Sequence, residues 1–147
     1  MDIYTSTRGE FTLSTDPSQM DAVAIHDYLC HHSYWAKNIP FERVEKSIRN
    51  SLNFGIFHEE RQIAYARIIS DFSTIAYLGD VYVLEAYRGR GLSKWLMETL
   101  SAHPELQGLR RWLLGTRDAH ELYAQYGWKP MASPERWMEK HNPEVYR

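Results

Sequence analysis

Runs of apolar residues divide the middle of this chain into strand-like segments. Between residues 54 and 83 these runs lie at 54–57, 63–69 and 75–83. Each has the length and the enrichment in β-branched and aromatic residues that is typical of a strand. Because the polar breaks between the runs are short enough for hairpins, the pattern predicts an antiparallel meander of three strands.

After residue 83 the pattern becomes helical. From Gly91 to residue 100 apolar side chains recur every three or four positions, which predicts an amphipathic helix. Residues 111–114 return as a strand, and a capping box at 118–121 predicts a second helix that Gly127 ends in a left-handed conformation. The residues from Trp128 onward are expected to form one more strand.

The first fifty residues carry weaker signals. Residues 10–14 alternate polar and apolar side chains like a short strand. Asp16 can cap a helix, with Pro17 in the first turn and Gln19 completing a capping box, so a helix is expected from there to about His31. An aromatic-rich connection over 34–40 leads into a second expected helix over 41–51.

Together these segments predict a single domain, residues 1–147, with a mixed α/β sheet. The C-terminal half is predicted as three strands, a helix, a strand, a helix and a final strand. The connection from the third strand through the helix to residues 111–114 is long enough for a right-handed parallel crossover. In such sheets ligands bind beyond the carboxyl ends of the strands, which directs attention to residues 85–93.

The composition is that of an ordinary globular protein, and it narrows the classes of partner. The 17 Lys and Arg residues against 19 Asp and Glu give a formal net charge of -2, which disfavours binding to nucleic acid or to an anionic membrane. The single cysteine, Cys30, excludes an internal disulfide and fits a reducing cytosol. No apolar run approaches the roughly 20 residues needed to cross a bilayer, and no signal peptide is evident, so a cytoplasmic protein is expected.

A glycine-rich turn at residues 88–93 is the first candidate for chemistry. Gly89 and Gly91 allow tight backbone turns and leave amides unshielded at a helix start, which suits a phosphate group. Arg88, Arg90 and Lys94 add positive charge beside these amides. An exposed turn with solvated arginines is the alternative interpretation. The chain has no P-loop motif, and a Rossmann fingerprint would need a glycine at position 94.

Two motifs together resemble the GNAT superfamily of acyl-CoA-dependent N-acyltransferases, especially its small stand-alone bacterial members. The acyl-CoA motif of that superfamily is matched from Arg88 to Ser93, with Ser93 in place of its last small residue. A second landmark, Ala-x-x-Leu-Tyr-x-x-x-Gly-Trp, is matched in full from Ala119 to Trp128, and Thr116 stands where an Asn is often found. Both motifs follow a predicted strand in the expected order.

The resemblance implies a mostly antiparallel central sheet flanked by helices, with acetyl-CoA as the acyl donor. In such proteins the strand at 81–83 separates from its parallel neighbour and leaves amides free for the pantetheine and the thioester oxygen. The residues that the resemblance assigns to acetyl-CoA are Val81, Tyr82, Val83, Arg88, Gly89, Arg90, Gly91, Leu92, Ser93, Ala119 and Tyr126.

The reaction also needs an acid and a base. Tyr123 is protonated at neutral pH and can give its proton to the leaving thiolate, with packing in an apolar helix face as the alternative. Asp80 stands in an otherwise apolar strand, so we interpret it either as the base for the amine or as the ion-pair partner of Arg67. Asp71 and Glu85 are weaker candidates for the base, because turns favour acidic residues.

Tyr34 and Trp35 lie in the connection between helices that borders the acceptor cleft in this architecture. We interpret them either as an aromatic cage for the amine or as packing within that connection. No metal is expected, because the adjacent His31 and His32 point apart on a helix and no third ligand is spaced with them.

The leading hypothesis is an N-acetyltransferase that uses acetyl-CoA to modify a small amine or a peptide amine. One alternative is an acyl-CoA-binding regulatory module without turnover. Another is an acetyltransferase toxin acting on aminoacyl-tRNA, which the net charge of -2 disfavours, because phosphate contacts supply most of such affinity. A homodimer could form by pairing of the strand expected after Trp128.

Overall fold

A six-stranded sheet forms the centre of the structure, a computed structural model that describes residues 1–147. The strands are β1 Thr5–Arg8, β2 Phe11–Ser14, β3 Leu52–His58, β4 Arg61–Ser70, β5 Ile75–Val83 and β6 Arg111–Leu114. They neighbour one another in chain order, and every pair is antiparallel except β5 and β6, which are parallel. The predicted mixed, mostly antiparallel sheet and its central meander are therefore confirmed.

Four α-helices flank the sheet, two on each face. They are α1 Ala22–His32, α2 Phe41–Arg49, α3 Leu92–Ala102 and α4 His120–Ala124. Because strand side chains alternate between faces, two hydrophobic clusters form. The larger cluster packs α3 and Tyr123 of α4 against one face, and the smaller packs α1 and α2 over Tyr65 and Tyr82 on the other. No helix has both the length and the apolar character that crossing a membrane requires.

The N-terminal elements differ from the prediction in two places. Asp16 caps only a 3-10 turn, Pro17–Gln19, by accepting from the Ser18 N–H at 2.9 Å. The chain then becomes extended at Met20, and Asp21 caps α1 by accepting from the Ala24 N–H at 3.0 Å. Strand β1 was not predicted, because it is a largely exposed edge strand whose polar side chains carry no apolar alternation.

The strand predicted after Trp128 is wrong. The chain from 129 to 147 contains no strand, only a 3-10 turn at Pro134–Arg136. Pro130 and Pro134 lack the N–H groups that a further strand would need to pair with β6. β6 is therefore an edge strand, and the element expected to pair across a homodimer is absent. The C-terminal segment instead returns to the smaller cluster, where Tyr146 packs beside the α1 and α2 residues.

The start of α4 also differs from the predicted capping box. Asp118 makes no capping bond, and the Thr116 hydroxyl accepts from the Ala119 N–H at 3.1 Å instead. Because Ala119 precedes the first turn, α4 itself begins without a side-chain cap. Gly127 adopts φ +89, which confirms the left-handed end predicted for this segment.

Candidate active site

The two parallel strands β5 and β6 separate over residues 79–83, at the carboxyl end of β5. β5 and β6 pair only over Ile75–Leu78, opposite Arg111–Leu114, and β5 then continues to Val83 paired with β4 but not with β6. The Leu84 N–H donates to Ile63 O at 2.9 Å, on the side of β4. Since successive peptide groups of a strand point to opposite edges, the N–H groups of Val81 and Val83 face the gap left by β6.

A cleft of about 810 Å³ opens at this gap. Its walls come from the connection between α1 and α2, from α2, from β4 and β5, from the start of α4 and from the C-terminal segment. Six of the predicted catalytic and binding residues line it: Tyr34, Trp35, Asp80, Val81, Ala119 and Tyr123. The tertiary structure thus gathers side chains that lie as far apart as positions 34 and 123.

Asp80 reaches the cleft through a β-bulge. Tyr82 pairs with Tyr65 and Gly79 with Arg67, so Asp80 and Val81 together face one residue of β4, and Asp80 takes φ +53. Such a bulge redirects a side chain, here towards the face of the sheet that α1 and α2 cover and that carries Arg67. A positive φ is uncommon for a residue other than glycine, and Asp and Asn tolerate it better than most.

The Asp80 carboxylate is enclosed by two donors. Arg67 Nε donates to Oδ2 at 2.8 Å, and the side chains of Arg67 and Asp80 are only 16% and 11% exposed. Trp35 Nε1 donates to Oδ1 at 2.9 Å. The ion pair considered for Asp80 is therefore present, and Trp35 is a second partner that sequence reasoning did not identify.

Tyr123 lies almost buried on α4, with its hydroxyl oxygen reaching the cleft. No group of the chain forms a hydrogen bond with that hydroxyl, yet no buried side-chain oxygen is left unpaired, so the oxygen remains open to the cleft. Burial raises the pKa of Tyr123 to about 12, with smaller contributions in the same direction from Tyr34 and Asp118. The hydroxyl is therefore protonated at neutral pH and free to donate.

One ring face of the aromatic pair formed by Tyr34 and Trp35 is already occupied. The Arg117 guanidinium lies 3.9 Å from the centroid of the Tyr34 ring, and the backbone N–H of Arg117 donates to the Tyr34 hydroxyl at 3.0 Å. Tyr34 and Trp35 contact each other edge to face, with centroids 5.1 Å apart. The two aromatic residues therefore brace the walls of the cleft in addition to lining it.

The glycine-rich turn leaves its backbone open. Gly89 and Gly91 adopt φ +79 and φ +76, and no atom lies within 4 Å of where a Cβ would stand on either residue. No side chain caps the first turn of α3. Arg88 joins the turn to β5, since its Nε donates to Val83 O at 3.0 Å. Unshielded amides at the start of an 11-residue helix, beside three basic side chains, fit a diphosphate.

Several residues that the resemblance assigns to acetyl-CoA lie away from the cleft. Tyr82 stacks on Tyr28 at 4.0 Å under α1, and its peptide group alternates towards β4. The side chains of Val83 and Leu92 belong to the larger hydrophobic cluster, so only their backbones are available. Tyr126 lies in a separate hollow beside the loop that precedes β6.

The weaker candidates for the base have structural tasks. Asp71 closes the turn between β4 and β5, accepting from the Ser73 and Thr74 N–H groups at 3.0 and 2.8 Å. Hydrogen bonds from Thr74 and Ser73 hold the pKa of Asp71 well below its usual range. Glu85 opens the 3-10 turn that follows β5.

Sequence reasoning missed the part of the cleft wall that the C-terminal segment supplies. Glu139, His141 and Tyr146 line the cleft, and Arg43 and Ser47 contribute from α2. The C-terminal residues carry no periodic pattern and no motif, so no local signal points to the cleft. Arg43 and Ser47 share one face of α2 at helical spacing, which indicates a common face but not what that face adjoins.

Comparison with known proteins identifies the family. The model of the Acetyltransferase (GNAT) family matches residues 21–128. A crystal structure of a provisionally named GNAT acetyltransferase from Xanthomonas campestris pv. campestris is 50% identical, covers 95% of this chain and 99% of its own, and superposes with a TM-score of 0.92. A structure of a Clostridium acetobutylicum protein predicted to be an acetyltransferase, with acetyl-CoA, is 16% identical, covers 95% of each chain and has a TM-score of 0.68.

A curated relative from Gibberella zeae carries a provisional acetyltransferase name and is 30% identical over 114 residues. The match covers 65% of this chain and 64% of the relative, so the chain spans under two thirds of that protein's length. The bacterial crystal structure, by contrast, matches along almost its whole length. The family match, the close structural relative and the two motifs agree, and the chain belongs to the GNAT family of acetyltransferases.

Proposed function

We propose that this protein transfers an acetyl group from acetyl-CoA directly to the amine of a small molecule or a peptide. Family membership supports acetyl transfer in general, and the donor and the amine acceptor are the proposal. The observation that carries it is the unpartnered Tyr123 hydroxyl, which opens into the cleft where β5 and β6 separate. The relative from Clostridium acetobutylicum with acetyl-CoA supports the choice of donor.

The residues that would hold acetyl-CoA lie at the carboxyl end of β5 and in the turn that leads from it into α3. The first-turn amides of α3 and the open Gly89 and Gly91 suit the diphosphate. The N–H groups of Val81 and Val83 offer donors to the amides of the pantetheine arm or to the thioester oxygen. Arg88 holds the turn against Val83, so it supports the alignment of both parts.

The proposed reaction forms a C–N bond and breaks a C–S bond, so one proton must leave the amine and one must reach the sulfur. Acetyl-CoA supplies the activated acetyl group when bound. Tyr123 is proposed as the proton donor, because its hydroxyl is protonated at neutral pH and has no partner in the chain. For Asp80 the sequence left two roles, the base for the amine or the ion-pair partner of Arg67, and the hydrogen bonds to both of its carboxylate oxygens favour the second.

The first experiment is a thermal shift with acetyl-CoA and with free CoA. Donor at about 100 times its Kd should add about 2.7 kcal/mol of stability, which corresponds to roughly 5 to 10 °C for a chain of this size. Arg88→Ala should reduce the shift, measured against its own melting temperature without ligand. Arg61→Ala, which removes an exposed arginine at the start of β4, is the matched control and should keep the full shift.

No shift at millimolar acetyl-CoA would exclude this function. A shift that Arg88→Ala leaves intact would move the donor site away from the glycine-rich turn. When the shift is present, a screen of primary amines by thiol release identifies the acceptor. A shift without thiol release from any amine would favour the regulatory module over the enzyme.

A further inference from the structure

A hydrogen-bonded chain of side chains crosses the acceptor end of the cleft. It runs from Trp35, in the connection between α1 and α2, through Asp80 on β5 to Arg67 on β4. Arg67 also donates from Nη1 to the Ser51 hydroxyl at 3.2 Å, just before β3. Asp80 and Arg67 therefore join β5, β4, the residue before β3 and the connection between α1 and α2.

The Asp80 carboxylate has little freedom to receive a proton from an amine. Each of its oxygens already accepts a hydrogen bond, one from a permanent cation and one from an indole N–H. These two bonds use two of its roughly four acceptor sites, and with only 11% of the side chain exposed an incoming amine has little room to reach the others. An ion pair with both side chains this far from water is strongly disrupted when one partner is lost or neutralised.

The same contacts give Asp80 a different task, which is to hold Trp35. Trp35 is 41% exposed, and its indole N–H has no other partner in the chain. Its neighbour Tyr34 is tied to the opposite side of the gap by Arg117, which follows β6. The connection between α1 and α2 is thus attached on both sides of the separated strands, to β5 through Asp80 and beyond β6 through Arg117.

We propose that Asp80 is a positioning residue that fixes Trp35 across the acceptor end of the cleft, and that Trp35 thereby determines which amines fit. The proposal rests on the proposed function and assigns the selection of the acceptor to this contact. The bulge at Asp80 serves the same purpose, because it turns the carboxylate out of the regular strand alternation and towards Arg67 and Trp35. The amine proton then leaves to another group of the cleft or to water.

Kinetics of two variants test the proposal with an amine found in the screen. Trp35→Phe removes the indole N–H and keeps an aromatic ring, and Asp80→Asn removes the charge at nearly constant size. Both should raise the KM for the amine about tenfold and leave kcat within about threefold, because the contact shapes binding rather than the chemical step. The pH profile of kcat/KM should keep its acidic limb in both variants. A fall of kcat by about 100-fold or more in Asp80→Asn alone, with loss of that limb, would identify Asp80 as the base and overturn the proposal.

A measurement without turnover separates the contact from the function. In the NMR spectrum of the ligand-free protein labelled with 15N-tryptophan, the Trp35 indole signal is identified by its loss in Trp35→Phe. Asp80→Asn should shift this signal, and an unshifted signal would overturn the proposal even if every kinetic result agreed. If acetyl-CoA binding or turnover fails in the parent protein, the proposed function fails while the shift still tests the contact.

A control removes the carboxylate of another arginine ion pair, which has a similar N···O distance but lies at the surface. Glu98 on α3 pairs with Arg8 at 2.9 Å, outside the cleft and with both side chains about half exposed. Glu98→Gln should leave the amine KM and the Trp35 signal unchanged. A change in this control as large as in Asp80→Asn would mean a general response to lost charge, and would overturn the specific role of Asp80.

Discussion

At the scale of single residues, the candidate site contains one hydroxyl without a hydrogen bond and one carboxylate that accepts two. The Tyr123 hydroxyl has no partner in the chain, whereas both oxygens of Asp80 are bound. Burial raises the pKa of Tyr123, so the hydroxyl keeps its proton, and its open position lets it donate. A hydroxyl that forms no hydrogen bond on an otherwise buried side chain is better explained by a role in binding a ligand than by a role in folding.

Tyr123→Phe should lower kcat by about 100-fold and leave acetyl-CoA binding unchanged, because only a hydroxyl at the cleft is removed. Steady-state rates and the ligand-induced thermal shift are the two measurements. Tyr126→Phe is the comparison from the same segment, since Tyr126 does not line the cleft. Any part that Tyr126 takes in holding the donor would appear in the KM for acetyl-CoA rather than in kcat. An unchanged kcat in Tyr123→Phe would remove the assigned acid.

At the scale of elements, the site depends on where two strands part and how one helix starts. β6 ends at Leu114 while β5 runs on to Val83, which exposes peptide groups that a full parallel pair would have used. Beyond that end, α3 begins at Gly91 in a left-handed conformation without a side-chain cap. Unpaired backbone donors of both elements therefore face the same end of the sheet.

Gly91→Ala should weaken acetyl-CoA binding about tenfold, because a Cβ at φ +76 strains the turn and shifts the amides at the start of α3. The same strain should lower the free energy of unfolding by about 1 kcal/mol. Gly108→Ala is the matched control: Gly108 has φ +74, equally open surroundings and a position outside the turn. It should lose similar stability and keep full affinity in titration calorimetry. Equal loss of affinity in both variants would mean that the effect is one of stability alone.

At the scale of the whole molecule, two hydrophobic clusters sandwich the sheet, and tyrosines are buried in both. Tyr65 and Tyr82 lie under α1 and α2, and Tyr123 belongs to the cluster on the other face. Burial raises the pKa of all three above the ordinary value of 10.0. The folded state therefore resists a loss of protons that the unfolded chain undergoes readily.

The protein should lose stability at alkaline pH for this reason. In the unfolded chain these hydroxyls ionise near pH 10, and in the folded chain only at higher pH, so the stabilisation is complete below pH 10 and declines as the pH rises further. Urea midpoints measured between pH 8 and about 11 should show the decline. Tyr82→Phe should make the decline in stability shallower, because it removes one of the three hydroxyls with a raised pKa. The substitution breaks no hydrogen bond, since the Tyr82 hydroxyl makes none. A midpoint independent of pH above 10 would contradict the burial of these hydroxyls.

Much of the C-terminal half could be predicted from local patterns. The meander, α3, β6 and the left-handed Gly127 each rest on periodicity or on a glycine that the backbone needs, and such signals lie within one stretch of chain. The N-terminal half was harder, because β1 is an exposed edge strand and the cap at Asp16 is used by a single turn. The strand expected after Trp128 does not form, because Pro130 and Pro134 lack the N–H groups that strand pairing needs.

By itself the sequence determined the class of sheet, the glycine-rich turn, the acetyltransferase family and the identity of Tyr123 and Asp80 as residues of interest. Each of these features depends on residue spacing and side-chain chemistry within a single segment of the chain. Only the tertiary structure decided that Trp35 and Arg67 share the Asp80 carboxylate, that Arg117 occupies the ring face of Tyr34, and that the C-terminal segment walls the cleft. Such contacts join positions distant in the chain, and they arise because packing on both faces of the sheet brings those segments together, a process that local pattern does not encode.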